Sequence, residues 1–354
     1  MDLIPGLPYE IARDCLIRVP YNQFCTVASV CKGWKEEIEL PDFHLQRKAK
    51  GLTRTVIAMA QAQPNRSSGA AKYPATPAYQ LTLFEPETWS WLRLPPVNGF
   101  PDGLPLFCQF AGVGTKLVVI GGWNPATWEV SNAVFVYDFL SATWQCGAHM
   151  PGKSRSFFAC ASDADRMVFV AGGHDEEKNA LKSAIVYDVA KDEWVPLADM
   201  EIERDECKGI FQRGKFHVIG GYRTEQQGRF ERSGEAFDVA TWKWGQVEED
   251  VLKSGTCPKG CVAGDEARMY MCDSGHVVAL LEEDTWQAVA ELPDEVRVAP
   301  HAVMWQGKLL VIGSARHGGP HMAYVLDTKR HTWTKGVAPE EYTGHVQASC
   351  YLEI

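Results

Sequence analysis

Residues 166–194, RMVFVAGGHDEEKNALKSAIVYDVAKDEW, decide how the rest of the chain must fold. The run MVFVA is short and rich in β-branched and aromatic residues, which suits a strand buried on both faces. Gly172 and Gly173 let the backbone take φ values that other residues resist, so the chain turns there. The charged segment HDEEKN does not belong to a core and reads as part of an exposed loop of about ten residues, long enough to carry function. IVYDV returns as a strand, Asp188 starts the next turn with its side-chain oxygen, and Trp194 opens a fourth strand whose indole can cover the sheet edge.

The unit recurs. Lys116-Leu-Val-Val-Ile-Gly121-Gly122 leads to Tyr137-Asp138 and Trp144, and Lys215-Phe-His-Val-Ile-Gly220-Gly221 leads to Phe237-Asp238 and Trp242. Later copies are worn: Lys308 to Gly313-Ser314 reaches Leu326-Asp327 and Trp333, while Arg268 to Asp273 lacks both glycines yet reaches Trp286. In front, Thr55-Val-Ile-Ala-Met joins Leu83-Phe84 and Trp89 through a longer loop. One tryptophan per copy gives positions 89, 144, 194, 242, 286 and 333, with spacings of 55, 50, 48, 44 and 47 residues. Four strands at a period near fifty predict a propeller, because one blade cannot bury its own faces and must stack on neighbours. Six copies predict six blades, with the periodic tryptophans in the core.

A glycine doublet, a Tyr-Asp and a spaced tryptophan resemble the kelch repeat. The resemblance implies a six-bladed kelch ring over residues 53–354. Ring closure follows from the ends: the alternating run His345–Ile354 has no later strand to pair with, and the first blade lacks a leading strand. The tail is therefore expected to supply the innermost strand of blade one, removing an exposed edge.

Residues 1–50 follow a different period. Ile11, Cys15, Leu16 and Val19 fall at helical spacing after Pro8, and Phe24, Val27, Cys31, Trp34 and Ile38 continue the pattern. So short a module cannot close its own core, and its apolar residues must be covered either by the propeller or by a partner protein. LPYEIARDCLIRVP followed by ASVCKGWKEEI resembles the F-box, matching at Leu7, Pro8, Ile11, Leu16, Val30, Cys31 and Trp34. It departs where Arg13, Asp14 and Cys15 replace the family's further aliphatics, and where Phe24-Cys25 stand near a usual leucine. The expected organisation is a small all-α F-box module over residues 2–45, a linker over 46–52, and the all-β propeller, with a disordered loop over 61–78 inside blade one.

Together the halves resemble plant F-box/kelch proteins, and SRSFFACASD, VAGGHDEEKNAL, ERDECK, FHVIGGY and GHVQASCYLEI resemble one subgroup of them. The resemblance implies docking on a Skp-type adaptor, and through it a cullin, with the propeller selecting a protein for ubiquitination and proteasomal degradation. In that subgroup some members target phenylalanine ammonia-lyase, which controls phenylpropanoid synthesis, and others are linked to cytokinin-response transcription factors.

Composition limits the alternatives. A net charge of −10 over 354 residues offers no basic stripe for nucleic acid. No apolar run reaches membrane-spanning length and the N-terminus MDLIPGLPYE does not read as an export signal, so the cytoplasm or nucleus is expected. Eleven cysteines without a framework suit small buried hydrophobes in a reducing compartment. No G-x-S-x-G elbow, phosphate loop or H-E-x-x-H pair is present, so no catalytic residues or cofactor are expected. Cys257, Cys261, Cys272 and His276 have spacings that zinc accepts, but alternation on separate strands and turns would point them apart. A non-ligase kelch scaffold and a metal-binding kelch oxidoreductase are the rival readings.

The binding surface is expected where the post-glycine loops and blade entries share a face. It would carry Trp123, Trp128, His174, Asp175, Tyr222 and Arg223 from the loops, and Arg155, Arg204, Asp205 and His301 from the entries. Arg155 and Arg204 also match the position where kelch receptors place substrate-binding arginines. The same residues could instead form salt bridges between blades.

Overall fold

The computed structural model describes residues 3–64, 77–101, 103–264, 268–280 and 285–354. Helices α1 (Tyr9–Ile17), α2 (Phe24–Ala28), α3 (Lys32–Ile38) and α4 (Pro41–Ala49) precede six four-stranded antiparallel sheets. Helix α4 takes up the first part of the stretch expected as a linker. No helix among the described residues is long and apolar enough to cross a membrane.

Blade one is β1 (Thr55–Ala62), β2 (Tyr79–Glu85) and β3 (Ser90–Arg93), led by β24 (Val346–Glu353). Blade two is β4 (Gln109–Val113), β5 (Lys116–Ile120), β6 (Val134–Asp138) and β7 (Thr143–Gly147), and blade three is β8 (Ala159–Ser162), β9 (Met167–Ala171), β10 (Ala184–Asp188) and β11 (Glu193–Pro196). Blade four holds β12 (Lys208–Gln212), β13 (Lys215–Ile219), β14 (Gly234–Asp238) and β15 (Lys243–Trp244). Blade five holds β16 (Val262–Ala263), β17 (Met269–Asp273), β18 (His276–Leu280) and β19 (Trp286–Glu291). Blade six holds β20 (Val298–Trp305), β21 (Lys308–Ser314), β22 (His321–Asp327) and β23 (Thr332–Lys335).

The tail closes the ring as expected. β24 pairs antiparallel with β1 from Thr55 opposite Glu353 to Gln61 opposite Val346, and the buried Gln61 amide donates to the carbonyls of Tyr342 (2.6 Å) and Gly344 (3.2 Å). Of the loop expected over 61–78, Gln61 and Ala62 belong to β1, and residues 65–76 lie outside the described residues.

Each blade is cemented to the next by an apolar cluster. Val118, Ile120 and Phe158 meet Val168 and Tyr187 between blades two and three, and Phe169, Phe216 and Phe237 fill the gap between three and four. The glycine doublet is needed at this spacing. Gly172 and Gly173 have φ of 67° and 81°, and a Cβ on Gly173 would lie 2.3 Å from the Ser156 carbonyl oxygen. The aspartate of Tyr-Asp behaves as expected: Asp188 Oδ1 accepts the N–H groups of Ala190 and Lys191, and Asp138, Asp238 and Asp327 repeat the turn.

The tryptophan register needs correcting at two blades. Trp144, Trp194 and Trp333 stand opposite Tyr137, Tyr187 and Leu326, and the residues in the same register are Trp244, opposite Phe237, and Trp91, opposite Phe84. Trp89 and Trp242 instead take the left-handed turn position, φ 55° and 59°. Nor are the periodic indoles all deep core. Trp144, Trp194, Trp244, Trp286 and Trp333 are partly buried, and each donates Nε1–H to a carbonyl at or just past the end of the preceding blade: Pro95, Ala148, Ala198, Val251 and Glu291. They stitch outer strands together around the ring. Trp91, at the closing junction, is buried with no partner for its N–H and stacks on Tyr342.

Candidate interaction surfaces

The helical module has two unlike sides. Leu16, Ile17, Tyr21, Phe24, Ile38 and Phe43 share one apolar cluster with Val56, Leu83, Phe139 and Ile354, so one side is fused to blades one and two. Arg47, 2 % exposed, fixes the corner: its guanidinium donates to the carbonyls of Ile17, Val19 (2.7 Å) and Leu52 (2.9 Å) and lies over the Phe24 ring. Burial pushes that guanidinium down to about 10. Lys48 pairs with Glu353 at 2.9 Å, and the Tyr21 hydroxyl donates to Glu85.

The other side is left open. Leu7, Tyr9, Ile11, Val30, Leu40 and Leu45 are exposed, with Ile11 and Val30 at 53 % and 58 %, and Pro8 and Cys31 are exposed beside them. So many uncovered apolar side chains on so few residues are the mark of an interaction surface. Leu7, Pro8, Ile11, Val30 and Cys31 therefore stand where a partner could reach them. Leu16 does not. At 3 % exposure it packs inward on α1, because helical spacing turns it away from Ile11 and towards the propeller. Trp34 is half-buried and donates Nε1–H to the Leu3 carbonyl at 2.6 Å, tying the N-terminal segment to α3.

On the propeller, the glycine loops and blade entries do share a face, but its polar residues divide into internal ties and surface groups. Arg155 and Arg204 are 4 % and 1 % exposed, which corrects the expectation that they face a substrate. Arg204 Nη1 donates to the carbonyls of Gly220 (2.9 Å) and Ser233 (3.1 Å), Nη2 donates to Ser233 Oγ, and Nε faces Glu235 at 3.4 Å. Arg155 repeats this one blade earlier on Gly172 and Ser183. The cause is the glycine turn: the carbonyls of Ser233 and Ser183 accept the N–H groups of Gly220 and Gly172, the glycine carbonyls have no backbone donor among the described residues, and the entry arginine bonds both members of each pair.

In blades two and three the residue after the glycine doublet reaches into the next blade. Trp123 Nε1 donates to Ser156 Oγ at 2.8 Å, and His174 Nδ1 lies 2.9 Å from Asp205 Oδ2. His174 and Asp205 are consequently buried, and so is Asp175, against the expectation that the HDEEKN loop is exposed throughout. Burial pushes the Asp175 carboxyl up, but Lys153 at 2.9 Å and the Asn179 N–H outweigh it and hold the group at about 2. Tyr222 is partly buried, its hydroxyl on Glu206, while Arg223 is exposed and bonded to Glu231. His301 lines the ring axis, with Nε2 2.6 Å from Ser349 Oγ. Burial together with Lys208 and Lys259 holds it well below the ordinary histidine range.

What faces outward is different. Phe107 and Phe157 meet as a tilted pair, centroids 4.9 Å apart, beside the axis, and Trp128 is half exposed. Phe107, Phe157 and Glu206 occupy one equivalent position, each with left-handed φ of 60°, 54° and 50°, directly after the bridging residues Leu106, Ser156 and Asp205. Aligning LFC, SFF and DEC at the three entries is the signal that would have found them. Cys257, Cys261, Cys272 and His276 do not converge: among the described residues no three His, Cys, Asp or Glu side chains form a metal-binding group.

Residues 4–46 match the F-box domain, and residues 106–151 and 154–201 match the Kelch motif. Over the full length of both chains the protein is 48 % identical to the F-box/kelch-repeat protein At1g15670 of Arabidopsis thaliana and 45 % identical to the F-box/kelch-repeat protein At1g80440 of the same plant. It is 35 % identical to the Arabidopsis F-box/kelch-repeat protein SKIP20, over 75 % of this chain and 71 % of that one. With this domain pair, this register and these relatives, the chain belongs to the F-box/kelch-repeat proteins of plants.

Proposed function

We propose that the protein is the substrate-recognition subunit of a Skp–cullin–F-box ubiquitin ligase. One observation carries the reading: the helical module, seated on the propeller through one side, leaves Leu7, Ile11 and Val30 uncovered on another. A Skp-type adaptor covers that surface and the propeller holds the target. The chain itself makes and breaks no bond, and acts by keeping a target lysine at high effective concentration near the ubiquitin-charged enzyme. The resemblance of SRSFFACASD, VAGGHDEEKNAL and ERDECK to one subgroup favours phenylalanine ammonia-lyase as the target, and with it control of phenylpropanoid synthesis, with a cytokinin-response transcription factor as the second candidate. The cytoplasm or nucleus is the place of action.

The test titrates the full chain against a plant Skp adaptor beside a variant carrying Leu7→Asp, Ile11→Asp and Val30→Asp. Saturable one-to-one binding, lost in a variant that melts like the parent, supports the reading. An intact chain that fails to bind removes it in favour of a kelch scaffold. Ubiquitination of purified phenylalanine ammonia-lyase by the reconstituted ligase then tests the target.

A further inference from the structure

Along the ring axis lies a cavity of about 530 Å³, walled by β24, β4, β8, β12, β16 and β20. That volume is within the range of small-molecule sites, roughly 300–1,000 Å³. Much of the wall is small or apolar, with Ala111, Cys160, Ala161, Gly209, Val303 and Cys350 among its residues. The inner strands begin at the end that opens on the glycine-loop face, and there two lysines enter the wall. Lys208 is the first residue of β12, and Lys259 lies in the turn Pro258–Gly260 just ahead of β16.

Among the described residues neither ammonium forms an ion pair with a carboxylate. The two acids of the wall are otherwise engaged. Glu206 accepts from the Tyr222 hydroxyl, although its charge favours the Lys259 cation, and Asp163 accepts the N–H groups of Asp165, Arg166 and Met167 in a turn. Loss of water pushes both lysines below their ordinary range, and the charge of Lys259 lowers Lys208 further. This chain has 45 carboxylate side chains against 35 lysines and arginines, yet neither of these two cations is ion-paired to one of them among the described residues. Lys208 is half-buried and Lys259 stands exposed at the mouth, so two cations without an ion-paired carboxylate face the entrance of a cavity where a ligand could supply the missing charge. Phe107 and Phe157, a tilted aromatic pair, line the same cavity.

We propose that the axial cavity binds a carboxylate carried on an apolar or aromatic body of small-molecule size, with Lys208 and Lys259 receiving the anion and Phe107 and Phe157 the body. The carboxylate has two sources, a free small acid or an acidic side chain beside an aromatic residue on the target protein. The site stands whether or not the ligase reading holds.

The test is calorimetric titration of the full chain with benzoate, phenylacetate and naphthalene-2-carboxylate, each beside its primary amide, and with acetyl-Phe-Glu-amide beside acetyl-Phe-Gln-amide. At least one carboxylate is expected to bind tenfold or more tightly than its amide. Lys208→Met and Lys259→Met should each weaken it at least tenfold, while Lys208→Arg keeps it within a few-fold. Binding of an aryl carboxylate assigns the free acid, and binding of the glutamyl peptide alone assigns the target side chain. Absence of any preference for carboxylate over amide on the parent chain, or undiminished binding in the double methionine variant, overturns the site. Because the methionines remove unpaired charge, both single variants should melt at or above the parent temperature.

Discussion

Arg204 donates from one guanidinium nitrogen to the carbonyls of both Gly220 and Ser233, so a buried cation inside blade four holds the two ends of a glycine loop together. Its Nε also faces Glu235, which is buried and accepts the N–H groups of Glu201 and Ile202. Removing Arg204 strands the Gly220 carbonyl and leaves the buried Glu235 carboxylate without its counter-charge. Arg204→Met is expected to cost about 3–5 kcal/mol, the usual penalty for breaking a buried charge pair. Arg155 bonds no carboxylate among the described residues and its Nε has no partner, so Arg155→Met should cost less, about 1–3 kcal/mol for the acceptors it leaves. Urea unfolding midpoints check the order; a larger loss at Arg155 would refute this account.

The stitching indoles allow a comparison in which only one bond differs. Trp194→Phe keeps a ring opposite Tyr187 but loses the bond to Ala148, and about 1 kcal/mol should go with it. Trp91→Phe loses an N–H that is already unpartnered and buried, so it should be neutral or stabilising. Thermal melts of the two variants decide it.

Within the helical module, burial separates two kinds of loss. Leu16→Ala should cost about 2–5 kcal/mol as a core truncation and weaken adaptor binding only through unfolding. Ile11→Asp and Val30→Asp, on exposed positions, should leave the melting temperature unchanged while adaptor binding falls by tenfold or more. Melting and titration on the same preparations distinguish them.

Deleting residues 345–354 removes β24 and reopens blade one along the whole of β1. The expected result is a chain without a cooperative unfolding transition. A truncated chain that melts like the parent would show that closure contributes nothing to stability.

Acid should loosen that same junction. His345 is held at about 4, chiefly by burial and then by Lys259 and His321, and burial lowers His321 as well. Each binds its proton more readily when unfolded, where histidine titrates near roughly 6.5, so their contribution is present above that value and is lost as pH falls towards about 4. His345→Gln should flatten the stability profile between those values, measured as urea midpoint against pH.

The sequence makes the blades legible because their strands, glycine turns and aspartate turns depend on neighbours in the chain. It misplaces Trp242 and Trp89 because Trp244 and Trp91 stand two residues on, and only pairing opposite Phe237 and Phe84 shows which indole holds the register. Arg155 and Arg204 look like surface charge because the carbonyls that bind them lie on turns 16 or more residues away in sequence. Lys208 closes the ERDECK phrase and Lys259 stands outside every phrase singled out, and only closure of the ring brings them to one mouth. In the helical module, periodicity finds the apolar residues but not which side is already occupied, so Leu16 and Ile11 look alike until the propeller is in place.

The cluster that joins Phe24 and Phe43 to Leu83 and Phe139 makes the two halves of the chain one body. If the chain is the receptor proposed above, such a body is a bracket: the distance and angle between what grips the ligase and what grips the target are set at folding. The reach of the ubiquitin-charged enzyme then falls on a fixed zone of the target's surface, and lysines outside that zone are spared however tightly the target is held. Inserting a flexible glycine-serine segment at Gly51 would widen the zone and dilute it, spreading modification over more lysines at a lower rate for each.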